Sequence, residues 1–241
     1  MKNLPVFVCV LFLISCTTVE KDVGTQTTAP TVATEQEQVP DFSPVFRVPE
    51  VDGSYYYQAL ELLKTEHFEM LSAIDFVKFR YAYLKVRDRD RLSIPFELRE
   101  TLRLSIENED HAQVVRICDD ILKYDFTDIY IHILRNFFLE QRGKDMSYYK
   151  TYVNQLIDSI FDSGDGRTPE TAFHVIQIKE EYEILKFMGL SSRMQMLVEE
   201  GGHVFDVLTC ENRNGEMIEV YFDITEHMQM LNQQYSDRQN P

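Results

Sequence analysis

Five residues in the last third of the chain have side chains that could support chemistry. They are two histidines and three aspartates: Asp165, His174, His203, Asp206 and Asp223. If the strands predicted to carry the histidines are neighbours, an imidazole pair could meet Asp206 or Asp223, which would suit a general base or a bound metal ion. Because the spacing matches no known ligand pattern, hydrogen-bonded edge residues are the simpler explanation. We treat the five residues as a speculative site.

A calcium site at the turn before these strands is disfavoured by its spacing. Asp162, Asp165 and Glu170 could supply oxygen ligands, but their order does not follow the D-x-[DN]-x-[DN]-G loop. A Gly-Asp-Gly turn that leads into a strand is explained by backbone geometry alone. No serine, cysteine or threonine lies in a nucleophile elbow, and no glycine loop suits a phosphate. We therefore predict no catalytic residue, metal or cofactor, and keep a hydrolase or metal-dependent envelope enzyme as the alternative.

The stretch that carries these residues predicts a small β-α-β-β-β module at 162–228. Its elements follow the apolar runs: strands at 172–178, 195–198, 203–210 and 217–225, and a helix at 180–188. The pair Asn214-Gly215 between the last two strands is a strong hairpin signal. We expect the remaining residues, 229–241, to fray because they lose the pattern.

Residues 45–161 have the apolar spacing of helices rather than strands. Six groups mark the predicted apolar faces: Tyr56, Leu60 and Leu63; Met70, Ile74, Val77, Tyr81 and Leu84; Leu98, Leu102 and Ile106; Val114, Cys118, Ile121 and Leu122; Ile133, Leu134, Phe137 and Phe138; Tyr149, Val153, Leu156 and Ile160. Helices joined by short loops should pack as antiparallel hairpins. The pairs are tetratricopeptide-like at most, because no 34-residue self-similarity accompanies them. The predicted fold class is α+β, with a helical-hairpin bundle first.

Four segments of the C-terminal module resemble the bacterial domain-of-unknown-function 4919 family: GDGRTPETAFHVI, EEYEILKFMGL, GGHVFDVL and VYFDIT. Asp75-Phe76, Phe79-Arg80 and Tyr81-Ala82-Tyr83 are similar to the helical signature at the start of that family. The resemblance covers roughly 51–225. It implies this architecture and a secreted or lipoprotein setting, and it implies no mechanism.

The N-terminus predicts a lipoprotein precursor. Lys2 precedes an apolar run from Leu4 to Ile14, which has the length of a signal peptide and falls short of the roughly 20 residues of a membrane-spanning helix. Ser15 before Cys16 resembles the lipobox of bacterial lipoproteins. We predict a signal peptide at 1–15, cleavage between Ser15 and Cys16, and membrane attachment through a lipid on Cys16. An ordinary secretory signal or an uncleaved anchor is the alternative.

Composition supports a tethered protein in the cell envelope. Residues 16–44 are rich in Thr, Gln, Glu and Pro and predict a disordered tether. Thr17 is not the aspartate that retains lipoproteins at the inner membrane of enteric bacteria, which favours the outer membrane and a domain facing the periplasm. The formal net charge of −16 opposes binding to nucleic acid. We predict a non-catalytic protein-interaction or envelope-maintenance module with a protein partner in the envelope.

Two cysteines, Cys118 and Cys210, remain after the predicted signal peptide and lipidation site. An oxidising envelope would permit a disulfide between them. Cys118 lies on the apolar face of a predicted helix and Cys210 near the end of a predicted strand, which favours two separate buried thiols.

Overall fold

The computed structural model describes residues 42–87, 92 and 94–239. The predicted signal peptide, the cleavage site at Ser15, the lipidation site at Cys16 and most of the predicted tether lie outside these residues. Within the described part, helices come first and a four-stranded sheet follows. The predicted α+β fold class is therefore confirmed.

Seven α-helices come before the sheet: α1 (Ser54–Leu63), α2 (Phe68–Ser72), α3 (Phe76–Arg87), α4 (Phe96–Glu107), α5 (His111–Leu122), α6 (Ile129–Glu140) and α7 (Ser147–Phe161). A short 3₁₀ helix, Pro169–Thr171, leads into β1 (Phe173–His174), α8 (Ile178–Met188), β2 (Ser191–Glu200), β3 (His203–Glu211), β4 (Met217–Asp223) and α9 (Thr225–Gln239). The predicted β-α-β-β-β order is present. No helix in the described ranges combines the length and the apolar character needed to cross a bilayer.

Aspartate side chains cap the N-termini of several helices. The Asp110 carboxylate accepts a hydrogen bond from Gln113 N at the start of α5, and Asp128 does the same at the start of α6. Asp75 accepts from Lys78 N at 3.0 Å before α3. This last cap separates α2 from α3, so the apolar spacing from Met70 to Leu84 belongs to two helices rather than to one stripe.

Only half of the predicted apolar face of α6 packs inside, where Leu134 and Phe138 lie against a buried cluster. Ile133 and Phe137 are 41% and 51% exposed, whereas His132 and Asn136 are buried. His132 Nε2 donates to the Phe126 carbonyl at 3.0 Å, and its ring lies 4.8 Å from that of Tyr152. Burial of this imidazole turns the helix away from the orientation that apolar spacing predicts.

The sheet order is β1-β4-β3-β2, with β1 parallel to β4 and the other pairs antiparallel. In the register between β3 and β4, Asp206 is opposite Phe222 and Phe205 is opposite Asp223. Residues opposite each other share a face, and neighbours along a strand alternate. Asp206 and Asp223 therefore lie on opposite faces. Phe222 belongs to the main core with the helices, and Phe205 belongs to a smaller core with Phe42.

A buried ion pair joins the helices to the module. Arg80 on α3 donates through Nη2 and Nε to the two carboxylate oxygens of Glu180 on α8, at 2.8 and 3.2 Å. Arg80 Nη2 also donates to the His174 carbonyl at 3.2 Å. The two forked hydrogen bonds restrict the geometry more than a single point charge would.

Three predicted boundaries differ from the structure. The strand expected at 172–178 contracts to β1, because the Glu180 side chain accepts from Ile176 N and Gln177 forms a capping box with Glu180 at the start of α8. The strand expected at 195–198 extends over all of β2. Residues expected to fray continue α9 to Gln239.

Cys118 and Cys210 are both buried and free. The prediction of two separate thiols is confirmed.

Candidate functional site

Two of the predicted histidines meet one of the predicted aspartates. His203 Nδ1 donates to Asp223 Oδ2 at 2.6 Å, and His174 Nε2 lies 3.6 Å from the same oxygen. The other carboxylate oxygen, Oδ1, accepts from Thr225 N at 2.9 Å. The parallel pairing of β1 with β4 places His174 beside Asp223, and β3 brings in His203 from the other side.

The imidazoles in this cluster lie in different environments. His174 is buried and His203 is partly exposed. Desolvation is the main reason that the pKa of His174 falls to about 4; His203 and Arg80 lower it further, and Asp223 opposes them. At neutral pH His174 is therefore uncharged. Of the two imidazoles, His203 makes the shorter contact with Asp223.

Two phenylalanines from the start of the described chain cover the cluster. The ring centroid of Phe46 lies 4.5 Å from that of His174, and the centroid of Phe42 lies 5.2 Å from that of His203. Val45 N also donates to the Glu170 carbonyl at 2.9 Å. Phe42, near the end of the predicted tether at 16–44, thus packs on the module rather than remaining apart from it.

Asp206 does not join this cluster. It lies on the other face of the sheet, where Gln195 Nε2 donates to its Oδ2 and the carboxyl group of Glu181 on α8 is a close neighbour. Burial, then the charge of Asp206, raises the pKa of Glu181 to about 9, so Glu181 carries a proton at neutral pH. Among the described residues, neither oxygen of Glu181 has a hydrogen-bond partner. Sequence reasoning missed this residue.

Asp165 is also outside the cluster. Its Oδ1 accepts from Arg167 N at 3.1 Å and from Thr171 Oγ1 at 2.6 Å. The Thr171 bond, followed by the backbone bond of Arg167, holds the pKa of Asp165 below its usual value. Asp165 therefore stabilises an exposed turn. Across the described ranges, no group of three or more His, Cys, Asp or Glu side chains is arranged to hold a metal ion.

Strand β2 is a feature that the sequence reasoning did not select. It forms one edge of the sheet, and its residues from Ser191 to Leu197 are exposed on both faces. Met196 and Leu197 point to opposite faces and are 55% and 56% exposed. In the described chain its backbone pairs with β3 alone. The alternation of Met194, Met196 and Val198 was the available signal.

A family model described as "Domain of unknown function (DUF4919)" matches residues 47–233. No curated protein and no solved structure matches the chain.

Proposed function

The chain belongs to the DUF4919 family, and on that premise we propose that it is a non-catalytic protein-binding module that captures an extended segment of a partner along β2. The observation that carries this proposal is the exposed edge of β2. A long edge strand with apolar side chains and unpaired backbone groups is a template for another strand. Adding a strand to such an edge is a recurring mode of peptide recognition.

The side chains of β2 indicate the chemistry of the partner. Met194, Met196 and Val198 lie on one face, in register with Thr209, Val207 and Phe205 of β3. A segment with apolar residues at alternate positions would extend this apolar surface. Methionine side chains also adapt to partners of different shape.

The charged side chains at the two ends of β2 indicate which charge the partner segment should carry. Glu199 and Glu200 end the strand, and neither forms an ion pair within the described part of the chain. At the other end, Arg193 is already paired with Glu211 through Nη2 at 2.6 Å. The proposed partner segment therefore carries a basic residue where it passes Glu199 and Glu200.

A peptide-library selection on the full chain tests the proposal. We expect enriched peptides to alternate apolar residues and to contain lysine or arginine near one end. Their binding should slow hydrogen exchange at the amides of β2. Met196→Lys should abolish binding, because lysine on an edge strand opposes further pairing.

Met217→Lys is the matched control, because Met217 is as exposed as Met196, at 55%, and lies on β4 instead of β2. This variant should bind like the wild type. Equal loss in both variants, or protection of amides outside β2, would contradict recognition at this edge.

The N-terminal residues supply the proposed setting of the module. The lipobox-like pair Ser15-Cys16 supports lipidation at Cys16, and the composition of 16–44 supports a tether to the outer membrane, with the module in the periplasm. Several buried acyl chains, at about 0.8 kcal/mol for each CH₂ group, would hold the protein stably. Cys16→Ser should abolish acyl labelling and release the chain from the membrane fraction. Membrane retention without label would instead indicate an uncleaved anchor.

The cluster of His174, His203 and Asp223 favours a second candidate, a hydrolase of the envelope. A histidine that donates to a carboxylate is the usual pairing of a general base. This candidate predicts that His203→Ala abolishes an envelope phenotype while the protein remains folded. Full complementation by that variant, with unchanged thermal unfolding, would exclude it.

A further inference from the structure

A groove of about 320 Å³ lies between α6, α7 and the end of α8. Helix α6 contributes Asn136 and Phe137, α7 contributes Val153 and Ile157, and Phe187 comes from α8. The volume lies at the lower end of the range of roughly 300 to 1,000 Å³ that is typical of small-molecule sites. The groove shares no residue with the β2 edge or with the cluster around Asp223.

Two phenylalanine rings and a buried floor make most of this groove apolar. Phe137 and Phe187 are 51% and 60% exposed, although both are large hydrophobic residues. Val153 and Ile157 are buried and belong to the main core, so the floor is part of the packed fold. Phenylalanine rings attract other aromatic rings in edge-to-face or offset-stacked contacts. The walls therefore suit an aromatic ligand.

One polar group in the groove has no partner in the protein. Asn136 is only 4% exposed, and its Oδ1 forms no hydrogen bond with any residue in the described ranges. Buried amide oxygens are ordinarily paired, because an acceptor withdrawn from water without a donor costs stability. This oxygen therefore indicates that a molecule bound in the groove supplies an N–H or O–H donor.

The charges at the edge of the groove cancel each other. Glu140 Oε1 and Lys150 Nζ lie 2.5 Å apart, and both side chains are about half exposed. A charged ligand would have to compete with this ion pair for its counter-charge. A neutral ligand avoids that competition.

We propose that this groove binds a small, neutral aromatic molecule with one N–H or O–H group. That group donates to Asn136 Oδ1, and the aromatic ring packs against Phe137 and Phe187 over the floor of Val153 and Ile157. The site does not depend on the function proposed for the β2 edge.

Titration of the full chain with indole and N-methylindole tests this site, because the two probes differ mainly in the N–H donor. Methyl NMR signals of Val153 and Ile157 report binding and locate the probe. Indole should shift these signals saturably and bind about fivefold more tightly than N-methylindole, as expected for one net hydrogen bond. Met196→Lys should leave indole binding unchanged, which separates this site from the β2 edge.

Asn136→Leu removes the acceptor and keeps a side chain of similar size. It should weaken indole binding about fivefold and leave N-methylindole binding unchanged, whereas a purely structural role for Asn136 would change both affinities alike. Phe187→Ala, an exposed substitution, should weaken the binding of both probes. Phe96→Ala is its matched control, because Phe96 is 71% exposed and does not line the groove; both probes should bind this variant like the wild type.

Several outcomes would overturn the proposal. One is that indole causes no saturable shift of the Val153 and Ile157 methyl signals up to its solubility limit. Others are that N-methylindole binds the wild type as tightly as indole does, that Asn136→Leu weakens both probes alike, or that Phe187→Ala has no more effect than Phe96→Ala. Shifts of the same signals with the peptides selected on the full chain, but not with indole, would assign the groove to the protein partner instead.

Discussion

Asp206 and Asp223 are buried on neighbouring strands of one sheet, but they lie on opposite faces and have different neighbouring groups. Asp223 meets two imidazoles and a backbone N–H. Asp206 meets the amide of Gln195 and the acid group of Glu181. The face with Asp223 is covered by Phe42 and Phe46, and the face with Asp206 is covered by α8.

The comparison shows that burial alone does not set the charge of an acidic group. On the Asp223 face the neutral partner is a base, since the pKa of His174 falls to about 4. On the Asp206 face the neutral partner is an acid, since the pKa of Glu181 rises to about 9. The two faces should therefore respond to pH in opposite directions.

Removal of Asp223 should have the largest effect on stability. Asp223→Ala takes the acceptor away from His203 and from Thr225 N, and leaves two partly buried donors without that partner. We expect the free energy of unfolding in urea to fall by about 3 to 5 kcal/mol. Asp223→Asn keeps an acceptor for Thr225 N and should lose less. A loss for Asp223→Ala as small as that of an exposed substitution would show that the cluster contributes nothing to folding.

Glu181 should make the wild type less stable in alkali. Its folded-state pKa of about 9 lies above its usual value of 4.5, so the native state retains a proton that the unfolded chain loses. The stabilisation is complete below pH 4.5 and is lost as pH rises towards 9, by at most about 1.4 kcal/mol per pH unit. Urea unfolding of Glu181→Gln should show a flatter profile between pH 7 and 9. An unchanged slope would mean that Glu181 is already ionised.

His174 should produce the opposite slope on the acid side. Its folded-state pKa of about 4 lies below its usual value of 6.5, so the unfolded chain binds a proton that the native state excludes. Stability is then lost as pH falls from 6.5 to 4, again by no more than about 1.4 kcal/mol per unit. His174→Gln should remove this acid loss while leaving the alkaline loss of Glu181. If both slopes disappear together, the two faces are not independent.

Local signals predicted the parts of the fold that depend on neighbouring residues. The Asn214-Gly215 turn joins β3 to β4, and α8 ends at Gly189, which has a φ of +72°. The exposure of Ile133 and Phe137 on α6 was not predictable from spacing, because burial of His132 instead depends on Phe126 and Tyr152 in the tertiary structure.

The site was predictable only in part, for a related reason. Alternation along a strand determines which residues share a face, but pairing register determines which strands bring them together. His203 and Asp223 meet because Phe205 is opposite Asp223, and the same register sends Asp206 to the other face. Glu181 gave no signal of its own, because a glutamate on an amphipathic helix is ordinarily exposed.

Phe42 should contribute moderately to the Asp223 face. Its ring lies 5.2 Å from His203 and 5.7 Å from Phe205, measured between centroids. Phe42→Ala should lower the free energy of unfolding by about 1 kcal/mol, and hydrogen exchange at Val204 N should become faster. Val45→Ala, at a largely exposed neighbour, is the control and should have almost no effect. Equal effects would mean that Phe42 does not cover the cluster.

Asp165→Ala should have the smallest effect on stability, because Asp165 contacts neither cluster on the faces of the sheet. Its carboxylate closes an exposed turn through Thr171 and Arg167 N, so the thermal midpoint should change less than in Phe42→Ala. Thr171→Val removes the hydroxyl donor of the same turn and should behave alike. If the protein is an enzyme that uses Asp165 together with the histidines, Asp165→Ala should abolish the envelope phenotype. Thr171→Val should then leave that phenotype unchanged. That split would show that the turn and the Asp223 face act together, which their separate hydrogen-bond partners argue against.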